Sequence, residues 1–261
     1  MSKFLTPISI VIAGLLISGS VLITNEKLNF PQIPGLSNLI VNKVTSPSKT
    51  QIEPVNTAPS VPPAPAAPPQ PKSLSDGDFG TNPVLGSSSA KVALSEFGDY
   101  QCPFCVQFAS VVMPKLKKDY IDTGLVKFVY RDFAFLGPES KDASLASRCA
   151  SDQGKYWQYH DYLYKYIANK EASNPGISQE NVGNFSVLNL KSFAKALGLN
   201  TSKFNSCFDS RKYDKQILDD VTAAQNYSVN STPTVFINGK YFNSNYGFDG
   251  FTAAIEAELK K

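Results

Sequence analysis

Two cysteines, Cys102 and Cys105, stand with two residues between them in the stretch EFGDYQCPFCVQF, residues 96–108. That spacing admits a structural disulfide, half of a metal site, or a pair that exchanges electrons. Zinc wants four ligands, usually from a second close pair. The other cysteines, Cys149 and Cys207, lie far apart in the chain, and His160 is the one histidine. A disulfide that closes so short a loop adds little stability. A cysteine protease would need a histidine base. His160 sits in the aromatic run YWQYHDYLY and reads as a packing or surface residue. The redox pair is the strongest of these readings.

The neighbouring elements must then hold a reactive thiolate. KVALSEF, residues 91–97, reads as a strand. Val92, Leu94 and Glu96 share one face, and Ala93, Ser95 and Phe97 the other. Both faces are mostly apolar, as in a strand covered on both sides. GDYQ reads as a turn, followed by a helix from about Cys102 to Tyr120. Cys102 would start that helix, where unpaired N–H groups and the helix dipole favour negative charge. That lowers a thiol pKa and populates the attacking thiolate, within a range of ~3.5 to ~7 for such motifs. Pro103 suits the first helical position. Phe104 brings no hydrogen-bonding group, so thiolate stabilisation is expected mainly from backbone and dipole. Cys105 can reach Cys102 from the first turn, as a disulfide partner or to resolve a mixed disulfide. The first cysteine is expected to be exposed and the second more buried. Phe104, Phe108, Val111 and Val112 fall on one helical stripe, and Pro114 should kink it.

LVKFVYRDF, residues 125–133, reads as a second strand and completes a β-α-β unit. A helical stretch follows over about 138–227, with apolar spacing at Leu190, Phe193, Ala194 and Leu197, and again at Phe204, Cys207 and Phe208. TPTVFI returns to strand. Asn238-Gly239 is a strong type I′ hairpin signal, with KYF as the partner strand. Asp249 is placed to cap a last helix carrying Phe251, Ile255 and Leu259 on one face. The element order is β-α-β, helical block, β-β-α.

The first 73 residues differ in kind. Residues 4–25 contain no charge over 22 positions. As a helix they would reach ~33 Å, about the thickness of a bilayer's hydrocarbon core. The expected organisation is a cytoplasmic stub at 1–3 and a transmembrane signal anchor at 4–24. A cleaved signal peptide is the competing reading. Residues 54–71 hold eight prolines in 18 positions. Such a segment cannot build helix or sheet ladders, and in polyproline II it would reach ~55 Å. Residues 25–73 therefore read as a disordered proline-rich linker. Five lysines against two glutamates in residues 1–73 account for the whole net charge of +3. The remainder balances at 20 basic and 20 acidic groups, which gives no reason to expect nucleic acid as a partner.

The stretches EFGDYQCPFC, VYRDFAF, CASDQGKYWQYHDYLY and STPTVFINGKYF, in that order, resemble the thioredoxin superfamily, and within it the DsbA-like thiol–disulfide oxidoreductases. The resemblance covers nearly all of residues 74–261. It implies an α/β thioredoxin fold with a helical domain inserted between the β-α-β and β-β-α halves, here at about 138–227. Membrane-tethered members outside the cytoplasm fit the anchor and linker. By this resemblance Cys102 looks like the nucleophile and Cys105 the resolving thiol. Pro233 looks like the family's cis-proline, and Thr232 would then offer backbone groups to a substrate strand. Glu96 looks like the acidic residue under the site that assists proton transfer, with Arg131 or Lys127 as possible partners. Asp99 reads as a turn residue. Phe104 departs from the histidine of the best-known members, which bears on how oxidising the pair is. Cys149 and Cys207 are either two buried thiols or a second disulfide. An oxidising compartment favours the disulfide, worth ~2–4 kcal/mol.

The expected function is the introduction of disulfides into exported cysteine-containing proteins at the outer face of the membrane. Electrons would pass to a quinone-linked membrane reoxidase, with no bound cofactor. The alternatives are a reductase or isomerase of the same fold, or a non-catalytic holdase or copper-handling module.

Overall fold

Alternation along VALSEFG explains the centre of the molecule. The computed structural model describes residues 69–74, 78 and 80–261. The expected stub, anchor and most of the linker lie outside these residues. Among the described residues no helix is long and apolar enough to cross a membrane. Strand β1, Val92–Gly98, is buried along its whole length. It pairs in parallel with β2, Val126–Asp132, and antiparallel with β3, Thr234–Ile237. β4, Lys240–Tyr241, completes a sheet of order β2-β1-β3-β4.

The register sets which side chains share a face. Glu96 is paired with Tyr130, and Phe97 with Arg131. Side chains alternate along a strand, so Glu96 and Tyr130 rise on one face and Phe97 and Arg131 on the other. The larger core, with Val92, Leu94, Phe128 and Tyr130, lies on the first face. A smaller core of Leu74, Phe97, Phe133, Ala224, Val229 and Phe236 lies on the second. Asn238 and Gly239 carry φ values of 47° and 76°, the two left-handed positions that a type I′ turn requires. The backbone is already docked at Lys72, whose N–H donates to the Tyr227 carbonyl at 2.8 Å.

The helix after Cys102 departs from its expected form. α1, Pro103–Gln107, runs into a π-helical turn at Phe108–Val112, then α2, Met113–Leu116, and a second π turn at Lys117–Ile121. Pro114 has no N–H to give and its ring crowds the preceding turn, so the regular ladder cannot pass through it unchanged. The π turn ahead of it widens the helix, and Met113 N–H reaches back to Phe108 O. The expected apolar stripe is thereby split. Phe108 and Val112 are buried, but Phe104 is 67% and Val111 54% exposed.

The helical insertion comprises α3 (Pro138–Ser151), α4 (Tyr156–Ser173), α5 (Val187–Ala196), α6 (Thr201–Asp209) and α7 (Asp214–Asn226). A disulfide joins Cys149 on α3 to Cys207 on α6. A buried ion network fastens the insertion to the sheet. Asp220 of α7 accepts from Arg131 of β2 at 3.0 Å and from Arg148 of α3 at 2.5 Å. Arg148 also donates to Asp132 at 2.7 Å. Such pairs fix one geometry more than they add net stability, because desolvation offsets most of their attraction. The last helix, α8, is Phe248–Leu259, with Phe251 and Ile255 buried. Gly247 occupies its cap position, and Asp249 lies inside the first turn without capping it. There its charge can still favour the helix N-terminus.

Candidate active site

Cys102 holds the N-cap position of α1 in extended conformation, and Pro103 follows at the first helical position. A proline there forfeits only an N–H that would have had no helical partner. Both thiols are free. Cys102 is less exposed than its position at a helix start suggests, at 6%, and Cys105 is fully buried. The cover over Cys102 comes from the loop before β3. The Thr232-Pro233 peptide is cis, and the Cys102 thiol donates to the Thr232 carbonyl at 3.3 Å.

The two thiols have opposite electrostatics. Cys102 is lowered to about 6 from its ordinary 9.0, first by hydrogen bonding from the Cys105 thiol, against the opposing effect of burial. The N–H groups of Cys105 and Phe104 add to the lowering. A side chain, the neighbouring thiol, thus leads, where backbone and dipole were expected to dominate. Burial pushes Cys105 well above its ordinary value, and the charges of Glu96 and Cys102 push it further. An exposed aromatic and a groove complete the setting. Phe104, Val111, Lys115, Pro233, Tyr246 and Phe248 line a groove of about 480 Å³ beside the pair.

Glu96 lies beneath the cysteines at 2% exposure, and its Oε1 has no hydrogen-bond partner. Burial raises it to about 8, helped by the negative charge on Cys102 and opposed by hydrogen bonding from Cys105. Neither expected cation reaches it. Arg131 and Lys127 flank Tyr130 in parity and so leave the sheet on the opposite face. Arg131 binds Asp220, and Lys127 donates to the Ser88 carbonyl at 3.2 Å. A buried carboxyl with no cation beside it holds its proton near neutrality.

Asp99 does more than turn the chain. Its Oδ1 accepts from Gln101 N–H at 2.9 Å and from the Ser140 hydroxyl at 2.6 Å. Its Oδ2 accepts from the N–H groups of Phe135 and Leu136, each at 3.1 Å. Gln101 is tied in turn to Ser140 at 2.7 Å and accepts from Asn181 N–H at 2.6 Å. The residue before Cys102 is thereby anchored to the helical insertion. His160 is 4% exposed and boxed by Tyr100, Tyr130 and Tyr164, a packing residue. Sequence reasoning passed over Gln101, Tyr130, Tyr164 and Gly98. None carried a signal: Gly98 read as part of the GDYQ turn, and the others meet their partners only through the fold. Among the described residues no cluster of three His, Cys, Asp or Glu side chains could hold a metal.

A low-pKa thiol against a high-pKa thiol, over a buried acid and beside a cis-proline, is a thiol-exchange arrangement. The thioredoxin family pattern matches residues 78–257. The chain is 33% identical over 180 residues to disulfide bond formation protein D of Bacillus subtilis, across 68% of this chain and 77% of that protein. The chain is a DsbA-like thiol–disulfide oxidoreductase of the thioredoxin family. The structure of BdbD from Bacillus subtilis in its oxidised form matches this oxidoreductase at a TM-score of 0.58 and 33% identity, over 69% of this chain and 94% of the other. Wolbachia pipientis α-DsbA1 shares the fold, at a TM-score of 0.56 and 24% identity, over 69% of this chain and 91% of the other.

Proposed function

We propose that this oxidoreductase introduces disulfides into exported proteins, from a position outside the cytoplasm and tethered by residues 4–24. The observation that carries the oxidising direction is the gap between the two thiols. Cys102 at about 6 is a good leaving group and a stable thiolate, while Cys105 strongly prefers to keep its proton. Stabilising the thiolate favours the reduced pair and so makes the disulfide oxidising. The formed Cys149–Cys207 bond supports an oxidising compartment. The charge-free run and the proline-rich stretch support a tether.

A substrate thiolate attacks Cys102 Sγ in the oxidised pair. The Cys102–Cys105 bond breaks, and its electron pair leaves on Cys105. Glu96 gives Cys105 a proton. A second substrate thiol loses its proton to solvent and attacks the substrate sulfur of the mixed disulfide. Cys102 leaves as the thiolate, and two electrons have passed from substrate to enzyme. The Thr232 backbone and the groove beside Pro233 hold the substrate strand at Cys102. The reduced pair is then reoxidised by a quinone-linked membrane partner.

The test is the reduction potential of the Cys102/Cys105 pair, measured against glutathione. A value well above about −200 mV supports the oxidising direction. A value near the cytosolic poise of about −220 to −260 mV overturns it in favour of a reductase or isomerase.

A further inference from the structure

Two grooves flank Cys102, and they differ in charge. The groove beside Phe104 and Pro233 is walled mostly by apolar and aromatic side chains, and Lys115 is the one charged residue among those lining it. Lys115 sits in the last turn of α2 and is exposed. Its Nζ lies over the Phe248 ring, 5.6 Å from the centroid. Such a contact holds a cation weakly and leaves its charge uncompensated. Among the described residues no carboxylate pairs with Lys115. Asp249 follows Phe248 in the chain but does not line the groove. The second groove, of about 380 Å³, adjoins Gln101 and Pro103, the two chain neighbours of Cys102. Glu171 near the end of α4 and Glu180 in the loop after it both line this groove, and no cation does. Burial alone raises the Glu171 carboxyl, with no cation to oppose it. The site is thus basic on one side of Cys102 and acidic on the other.

We propose that Lys115 is a specificity-determining residue, which selects substrate segments carrying an acidic side chain near the reacting cysteine and seats that side chain in the groove beside Pro233. This rests on the reading that the groove holds the substrate strand. Thr232 and Pro233 line the same groove as Lys115, so a strand laid along Thr232 brings its flanking side chains between the groove walls. Phe104, Val111 and Phe248 thin out the water around the ammonium, and a charge pair gains strength where water is displaced. Lysine is a compact charge on a flexible stem, so it can leave the Phe248 ring and follow a carboxylate. A basic segment in this groove meets a like charge and is rejected. An acidic segment laid across the other groove meets Glu171 and Glu180 and is repelled there. Attraction on one side and repulsion on the other also fix which side of the substrate cysteine enters the groove.

The experiment uses the oxidised full chain and paired dithiol peptides that differ in one residue, glutamate or lysine, placed at successive positions on either side of the cysteines. The second-order rate constant for reduction of the Cys102–Cys105 disulfide is measured at low salt for the parent, Lys115→Met and Lys115→Glu. Methionine keeps an apolar stem over Phe248 and removes the charge. A nearby charge also changes the peptide thiol itself, so the quantity read is each variant's glutamate-to-lysine rate ratio divided by the parent's. The peptide's own reactivity cancels in that quotient. Lys115→Met should lower the ratio by about two- to fivefold at positions on one side of the cysteines, the range of a surface ion pair. Lys115→Glu should lower it further, by about tenfold, because attraction becomes repulsion. Both effects should shrink at high salt. If Lys115→Met keeps the parent ratio at every position, the ammonium does not read the substrate, and the proposal is overturned while the exchange reading stands. If both variants slow the glutamate and lysine peptides alike, Lys115 only supports the groove wall, and the proposal is overturned in the same way. If the oxidised parent reacts with none of the peptides, the exchange reading falls with it.

Discussion

The molecule holds two pairs of cysteines, and they are built for opposite ends. Cys149 and Cys207 are 58 residues apart in sequence, on α3 and α6, and are already joined. Cys102 and Cys105 are three residues apart and stand as free thiols. The first pair is embedded between helices of the insertion and closes a long loop. The second sits where a strand ends and a helix begins, with one thiol lowered and the other raised. A long loop makes a disulfide a staple. A short loop with unequal thiols suits the proposed exchange. The chemistry of a cysteine pair here follows from what surrounds each sulfur rather than from the presence of two sulfurs.

The comparison breaks most sharply by deletion. Cys102→Ser should reduce exchange to the uncatalysed background in an insulin or dithiol-peptide assay, because a hydroxyl cannot form the mixed disulfide. Cys105→Ser should accumulate mixed disulfides through Cys102, seen as thiol-sensitive adducts on a non-reducing gel. Replacing both Cys149 and Cys207 by Ser should keep exchange but lower unfolding stability by about 2–4 kcal/mol in a denaturant titration. If that double variant lost exchange and kept its stability, the division of labour between the pairs would be wrong.

The pH dependence sharpens the same contrast. Iodoacetamide should label Cys102 with a midpoint near 6 and leave Cys105 untouched at neutrality. Cys102 has a folded pKa below its ordinary 9.0, so its contribution to the reduced form is present above pH 9 and lost as pH falls through about 6. Glu96 runs the other way. Its folded value of about 8 lies above the ordinary 4.5, so its contribution is present below pH 4.5 and lost as pH rises through about 8. Reduced Glu96→Gln protein should therefore gain stability with pH between 6 and 9 more steeply than the parent in urea melts. The smallest effect expected is Thr232→Val. The Thr232 hydroxyl has no hydrogen-bond partner and the carbonyl contact is retained, so the Cys102 midpoint should move by less than about half a unit.

Much of the site was legible before any fold was in view. The two-residue spacing, the strand ahead and Pro103 placed Cys102 at a helix start, because these are local preferences of backbone and ring. The alternation in VALSEF put Glu96 on a face with Val92 and Leu94, and that face is buried. What was missed depended on partners distant in sequence. Arg131 looked available to Glu96 until the β1–β2 register sent it to the opposite face. The stripe from Phe104 to Val112 looked continuous until a π turn ahead of Pro114 split it. Asp99 looked like a turn residue because the Phe135, Leu136 and Ser140 groups that bind it come from another part of the chain.

The sequence by itself determined the Cys102–Cys105 spacing at a helix start, the order of elements and the hairpin at Asn238-Gly239, since each rests on spacing, ring constraint or a left-handed turn. Tertiary structure alone decided which thiol is activated and by what. It brought the Thr232 carbonyl to Cys102 across 130 residues and left Glu96 without a cation. Those outcomes depend on strand register and burial, which set the local dielectric and the available donors, and neither can be read from residues that are neighbours only in space.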